Sequence, residues 1–232
     1  MKRIVYANIF TIIILSCLLT TSFSAPCYGI KTPQKKRIFL GTQTHYIIHR
    51  NLENNYGKVR SLQHFLLLSW GITDWLSLDL KGGTGYIKQH PYNSDEIDYN
   101  SSFAGGYGFR IKIWEDETAT TKTVFGFQHI SVHPYSSDIN GVNYKAVLDD
   151  WQVSLLISKN LDNITPYLGT KWSRIDYINW INDKRERIMS DLTKSLGIII
   201  GLDYQLRKNI WLNMETHFLD EKAGSIAIMF AL

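Results

Sequence analysis

Apolar and polar residues alternate one by one through most of this chain. Leu196, Ile198, Ile200, Leu202 and Tyr204 interleave with Ser195, Gly197, Gly201 and Asp203. Leu76, Leu78, Leu80, Thr84 and Tyr86 interleave with Ser77, Asp79, Lys81 and Gly83, and Ile210, Leu212, Met214 and Phe218 with Trp211, Asn213, Glu215 and His217. Side chains of an extended strand point alternately to its two faces, so a period of two marks a strand with one apolar face. The pattern predicts ten strands, at about 37–49, 59–70, 74–87, 102–114, 121–133, 147–158, 164–178, 193–205, 209–218 and 224–232. Most reach the roughly 9–11 residues that a tilted strand needs to cross a bilayer. The even number is the one that bacterial outer-membrane barrels use.

The connections alternate too. Short turns fall at Gly71–Asp74, Glu115–Thr120, Lys159–Asn163 and Arg207–Asn209, and longer polar segments at Asn51–Lys58, Gln89–Ser101, Pro134–Ala146 and Ile181–Asp191. Short periplasmic turns and long external loops are the habit of such barrels. The segment Leu219–Ala223 is short for an external loop. Trp70, Trp75, Trp114, Tyr204 and Trp211 gather near the short turns, while the strand middles are aliphatic. A soluble β-sandwich would bury its apolar faces; an aliphatic belt with an aromatic girdle predicts lipid instead. The expected fold is therefore all-β, a transmembrane antiparallel β-barrel of about ten strands.

Lys2 and Arg3, the apolar run Ile4–Leu19 and the small residues Ser22, Ser24, Ala25 and Gly29 read as a secretory signal peptide. Cleavage is expected after Ser24 or Gly29, giving a 1–29 signal and a 30–232 barrel. Two other readings are an uncleaved anchor helix and a lipoprotein acylated at Cys17, although Leu15 before Ser16 fits an acylation site poorly. The cysteines are Cys17 and Cys27, so a disulfide framework and a cysteine metal site are excluded. The formal charge of +4 falls to about +2 without the signal, and with no basic stripe no nucleic-acid partner is expected. No cofactor is indicated.

The polar faces carry Asp79, Lys81, Arg110, Lys112, Lys171, Asp203 and Glu215. In a closed barrel these would line a lumen and tune passage of small solutes or ions. The plainer reading is an ion-pair network that fills the barrel. Barrels of about eight strands are filled by side chains and open channels appear at 16–18, so ten strands favour a filled or narrow interior.

One face of the fifth strand carries Phe125, Phe127, His129, Ser131 and His133. Its phenylalanines point to lipid, with His129 and Ser131 near the outer leaflet. A serine becomes a nucleophile beside a base that a third group orients; Asn143, Asp149 or Asp150 would supply that group. This His-x-Ser placement is similar to outer-membrane phospholipase A and the lipid A deacylase barrels, with Val132 and His133 where asparagine and glycine usually follow. A histidine and a serine that merely touch headgroups is the plainer reading. Asp149-Asp150 with His217 suggests an aspartyl-type protease, but adjacent strand residues face opposite ways, and solvation of the pair at the rim is the plainer account.

The last strand sets Ile226, Ile228, Phe230 and Leu232 against Ala227, Met229 and Ala231. It resembles the signal read by the barrel-assembly machinery, with Leu where Phe or Trp is usual. Asp150-Trp151-Gln152-Val153, Pro166-Tyr167-Leu168-Gly169, Trp172-Ser173-Arg174 and Glu215-Thr216-His217-Phe218-Leu219-Asp220-Glu221-Lys222-Ala223 together resemble the chlamydial major outer membrane porin family, across about residues 148–232. The resemblance implies a diffusion porin with a structural envelope role. This chain is shorter and lacks the family's many cysteines, so no disulfide-crosslinked role carries over. The expectation is a Gram-negative outer-membrane barrel with porin-like diffusion, surrounded by outer-membrane lipids, with homo-oligomerisation left open. The alternatives are a lipid hydrolase using Ser131 and His129, and a non-conducting structural or adhesive barrel.

Overall fold

The computed structural model describes residues 29–54, 56–92, 95–116 and 120–232; the expected signal peptide lies almost wholly outside them. Ten long antiparallel strands form the wall: β1 (Ile38–Asn51), β2 (Lys58–Gly71), β3 (Leu76–His90), β4 (Ile97–Asp116), β5 (Thr121–His133), β7 (Val142–Lys159), β8 (Ile164–Ile181), β10 (Leu196–Arg207), β11 (Ile210–Phe218) and β12 (Lys222–Ala231). Two short strands, β6 (Ser137–Ile139) and β9 (Lys184–Met189), extend it. β12 pairs with β1 from Phe39↔Ala231 to Ile47↔Ala223, so the sheet closes on itself.

Closure satisfies the backbone polar groups along the wall, which a bilayer demands of any structure that crosses it. The polarity is inverted relative to a soluble protein. Leu66, Leu80, Leu168 and Leu196 face outward, each more than half exposed, whereas Gln43, Asp79, Lys81, Gln128, Gln152 and Lys171 are buried inside. An apolar belt of this kind on the outside of a closed barrel with a polar interior is the surface that such barrels turn to lipid. Trp70, Trp75, Trp114 and Tyr204 stand exposed beside the short turns as a girdle. The protein is an outer-membrane β-barrel.

Trp211 departs from the expected girdle. It is 5% exposed and packs edge-on against Phe39 inside the barrel, centroids 4.7 Å apart, because its position in β11 has the inward phase. The expected loops 134–146 and 181–191 are also partly strand. β8 turns at Asn182-Asp183, both with positive φ, and β9 returns along it from Ile181↔Lys184 to Asp176↔Met189. Asn140-Gly141, again with positive φ, makes the same tight turn between β6 and β7. Primed hairpin turns need such residues. The wall is therefore tallest over β7 and β8, paired from Tyr144↔Ile181 to Ser158↔Tyr167.

Candidate functional sites

The lumen is layered. At the periplasmic end the chain before β1 folds back inside. Ile30 is 1% exposed and packs with Val124, Leu156, Tyr167 and Ile199. Arg110 donates to the Lys31 carbonyl at 2.6 Å and Lys122 to Thr32 Oγ1 at 2.9 Å. Lys31 Nζ lies 5.0 Å from the centre of the Trp211 ring. Outside this segment an open mouth of about 360 Å³ is lined by Ile30, Lys31, Glu115, Asp116, Lys122 and Thr165 among others. Inside it, the void beside Arg110 and Gly126 is about 10 Å³, close to the least that admits one water.

Above this plug Arg110 holds Asp79 with two bonds, Nε–Oδ2 at 2.9 Å and Nη2–Oδ1 at 2.7 Å. Asn213 bridges Asp203, at 2.8 Å, and the Tyr167 hydroxyl, at 2.7 Å. Across the middle runs a relay. Lys81 donates to Gln128 at 3.1 Å, Gln128 to Gln152 at 2.9 Å, and Gln152 to Asp150 at 2.7 Å. Higher still, Arg50 bonds Asp220 at 2.9 Å and donates to Ser173 Oγ and Ser190 Oγ at 2.9 and 3.0 Å. Lys171 reaches Asp220 at 3.0 Å and also pairs with Glu221. Buried charges survive only when paired and hydrogen-bonded, and this network pairs both signs. At the external end Ile47, Val59, Ile87, Val132, Leu148 and Ile175 form an apolar layer, in which the hydroxyls of Tyr99 and Tyr177 bond at 2.9 Å.

Six of the seven residues expected to line a passage are therefore in the lumen: Asp79, Lys81, Arg110, Lys171, Asp203 and Glu215, each at most 5% exposed. Lys112 is elsewhere, at the short-turn end of β4, paired with Glu115 at 2.5 Å. Sequence reasoning missed Arg50, Gln128, Gln152, Asp220 and Glu221 as partners of this network. Their signal was their inward phase: Gln128 alternates with Phe127 and His129, and Gln152 with Trp151 and Val153. Asp149 and Asp150 do face opposite ways, but Asp150 is 3% exposed and inward, not solvated at a rim, because it terminates the glutamine relay. His217 is buried beside Glu215, with 3.4 Å between Nε2 and Oε2, rather than near the acidic pair's outer member.

On the outer surface, β5 and β7 bring a second set together. Ser131 lies directly opposite Asp149, and His129 opposite Trp151. Ser131 Oγ is 2.7 Å from His133 Nε2 and 2.5 Å from Asp149 Oδ1. His129 Nε2 is 3.6 Å from the same carboxylate oxygen, and its ring packs at a tilt against Trp151 with centroids 4.0 Å apart. The ring bonded to Ser131 is thus His133 and not the expected His129, which Trp151 and Asp149 draw aside. A hydroxyl has one proton to give, so Ser131 donates to His133 or to Asp149, with His129 behind the latter. Such a group can activate an oxygen nucleophile. It lies ten residues from the short-turn end of β5 and two from the other end. Among the described residues no group of three or more His, Cys, Asp or Glu side chains is arranged to hold a metal ion.

No protein-family model matches the chain and no curated protein matches it. Similar solved structures do exist. An outer membrane channel from Pseudomonas putida is 8% identical, covering 90% of this chain and 100% of that one, with a TM-score of 0.49. The transport unit of the autotransporter AIDA-I from Escherichia coli is 12% identical over 94% of this chain and 95% of its own, at 0.42. The outer membrane protease OmpT from Escherichia coli is 12% identical over 84% and 92%, at 0.38.

Proposed function

We propose that this barrel acts at its outer surface, as a hydrolase of acyl esters in outer-leaflet lipids. The observation that carries the reading is the contact of Ser131 Oγ with both His133 and Asp149 on a lipid-facing wall. His133 Nε2 takes the proton as Ser131 Oγ attacks the ester carbonyl carbon. Collapse of the tetrahedral adduct breaks the acyl C–O bond, and His133 returns the proton to the leaving alkoxide. Water, deprotonated by the same ring, then frees the fatty acid from Ser131. Asp149, with His129 behind it, stabilises the positive charge that gathers on this side. Refolded protein in mixed micelles should release fatty acid, and Ser131→Ala should stop the release without altering heat-induced mobility shifts. Silence of the wild-type barrel toward ester lipids, or release that persists in Ser131→Ala, sinks the reading.

A second reading is porin-like passage of small ions, with Asp79, Lys81, Arg110, Lys171, Asp203 and Glu215 as its lining and Lys112 at its mouth. Two things favour it: charged and amide side chains run through the lumen, and the last third resembles the chlamydial porin family. In this conformation the route is closed by Gly29–Pro33 below and by the apolar layer above. Planar-bilayer recording tests it: step-like conductance is expected, rising when Ile30→Asp loosens the plug. A barrel silent in both forms removes this reading.

A further inference from the structure

The outer face of β7, β8 and β9 carries cations beside the Ser131 cluster. In β8 the inward residues Lys171, Ser173, Ile175 and Tyr177 are buried, so Trp172, Arg174, Asp176, Ile178 and Trp180 project outward. Residues directly opposite one another in a sheet share a side, and β9 places Arg187 opposite Ile178 and Arg185 opposite Trp180. The pairings Ser131↔Asp149 and Asp149↔Asp176 set these residues at one height on the wall. Arg174 is one outward step below that level and Arg187 one step above it.

Asp176 organises the pair. Its carboxylate takes Arg174 Nε at 3.3 Å and also pairs with Arg187, while Arg185 packs over the Trp180 ring at 5.9 Å. A guanidinium has five N–H donors in a planar fork, suited to the oxygens of a phosphate. One carboxylate between two of them fixes their orientation, and Arg174 Nη2 also contacts Met189 Sδ, while both side chains stay partly exposed. The side chain of Arg174 is 32% exposed and that of Arg187 51%. Lys145, opposite Trp180 in β7, adds a further cation, itself 3.9 Å from Asp183. Directly below, Trp172, Leu155 and Leu168 are exposed and offer an apolar wall. Cations above an apolar wall match an anionic headgroup above its acyl chains.

We infer that Arg174, Arg187 and Arg185 form a binding site for the phosphate group of an outer-leaflet lipid, whose chains lie along Trp172, Leu155 and Leu168. The site stands whether or not Ser131 is a nucleophile. If it is, the same site holds a phosphorylated substrate about two strand spacings, roughly 10 Å, from the reacting oxygen.

Native mass spectrometry of the full barrel in a non-ionic detergent tests this. The probes are phosphatidylglycerol and phosphatidylcholine with identical chains, and sodium phosphate against chloride of equal ionic strength. Phosphatidylglycerol should be retained at least about 5-fold over phosphatidylcholine, a margin of about 1 kcal/mol. The margin should vanish in Arg174→Gln/Arg187→Gln and shrink in Arg185→Gln, a change confined to the external hairpin. It should survive in Ser131→Ala, which separates binding from catalysis. Equal retention by wild type and by both arginine variants overturns the inference. Sodium phosphate should displace the lipid more than chloride of equal ionic strength does; equal displacement by the two salts marks mere charge attraction and also overturns the inference.

Discussion

The ring of Tyr167 lies over Gly201, its direct partner across β8 and β10. A Cβ on that glycine would come within 2.1 Å of Tyr167 Cζ. The glycine leaves a slot in the wall, and the tyrosine fills it while its hydroxyl accepts the bond from Asn213. Overpacking a fitted site typically costs about 1–3 kcal/mol. Gly201→Ala should therefore lower the unfolding temperature in heat-induced gel shifts, and Gly201→Ala/Tyr167→Leu should recover part of the loss. An unchanged temperature in Gly201→Ala would show that the ring moves aside freely.

Asp79 and Arg110 form a bidentate pair inside the lumen. Removing one partner of a buried pair leaves an uncompensated charge at about 3–5 kcal/mol, whereas replacing both with apolar residues is often neutral. Asp79→Ala should be strongly destabilising in urea unfolding, and Asp79→Leu/Arg110→Met close to wild type. A double variant as weak as the single one would mean that Arg110 matters chiefly for the bonds it gives Lys31 and Ser69.

Leu66, in the middle of β2, is the apolar wall residue to challenge, being 69% exposed. Leu66→Arg should cost about 2–4 kcal/mol at the bilayer midplane, and Leu78→Arg, nearer the aromatic girdle, less, because the penalty falls toward the interface. Refolding yield and unfolding in lipid vesicles report both. Equal costs would place the belt differently along the wall.

His133→Ala and His129→Ala separate the two histidines. Loss of acyl release should follow removal of His133, the ring bonded to Ser131. His129→Ala should leave a reduced rate, since that ring reaches only Asp149. The opposite ranking, measured as initial rates of fatty-acid release, would restore His129 as the base.

Much of this was legible beforehand, and for a simple reason. Leu196, Ile198 and Ile200 against Gly197 and Gly201 mark a strand with one apolar face, since strand geometry ties phase to face, and repetition over ten segments with an aromatic girdle gave that face to lipid. Asn140-Gly141 was equally legible: it is a hairpin signal, and reading it would have found β6. β9 was harder, because Lys184–Arg187 is charged at every position and carries no alternation. Trp211 shows the limit of residue type, since its phase put it in the lumen although tryptophan suits an interface.

The sequence by itself determined the strands and the apolar face of most of them, because alternation is local; it set Ser131 beside His129, whereas the bond to His133 came from the structure. Only the tertiary structure decided what meets across the barrel. Closure of β1 on β12 defines an interior in which Arg50 finds Asp220, 170 residues away, and in which Gly29–Pro33 folds back to stop the lumen. The register of β5, β7 and β8 sets Ser131, Asp149 and Asp176 level on the outer wall. Periodicity carries no information about which strand lies beside which, or about what fills the space they enclose.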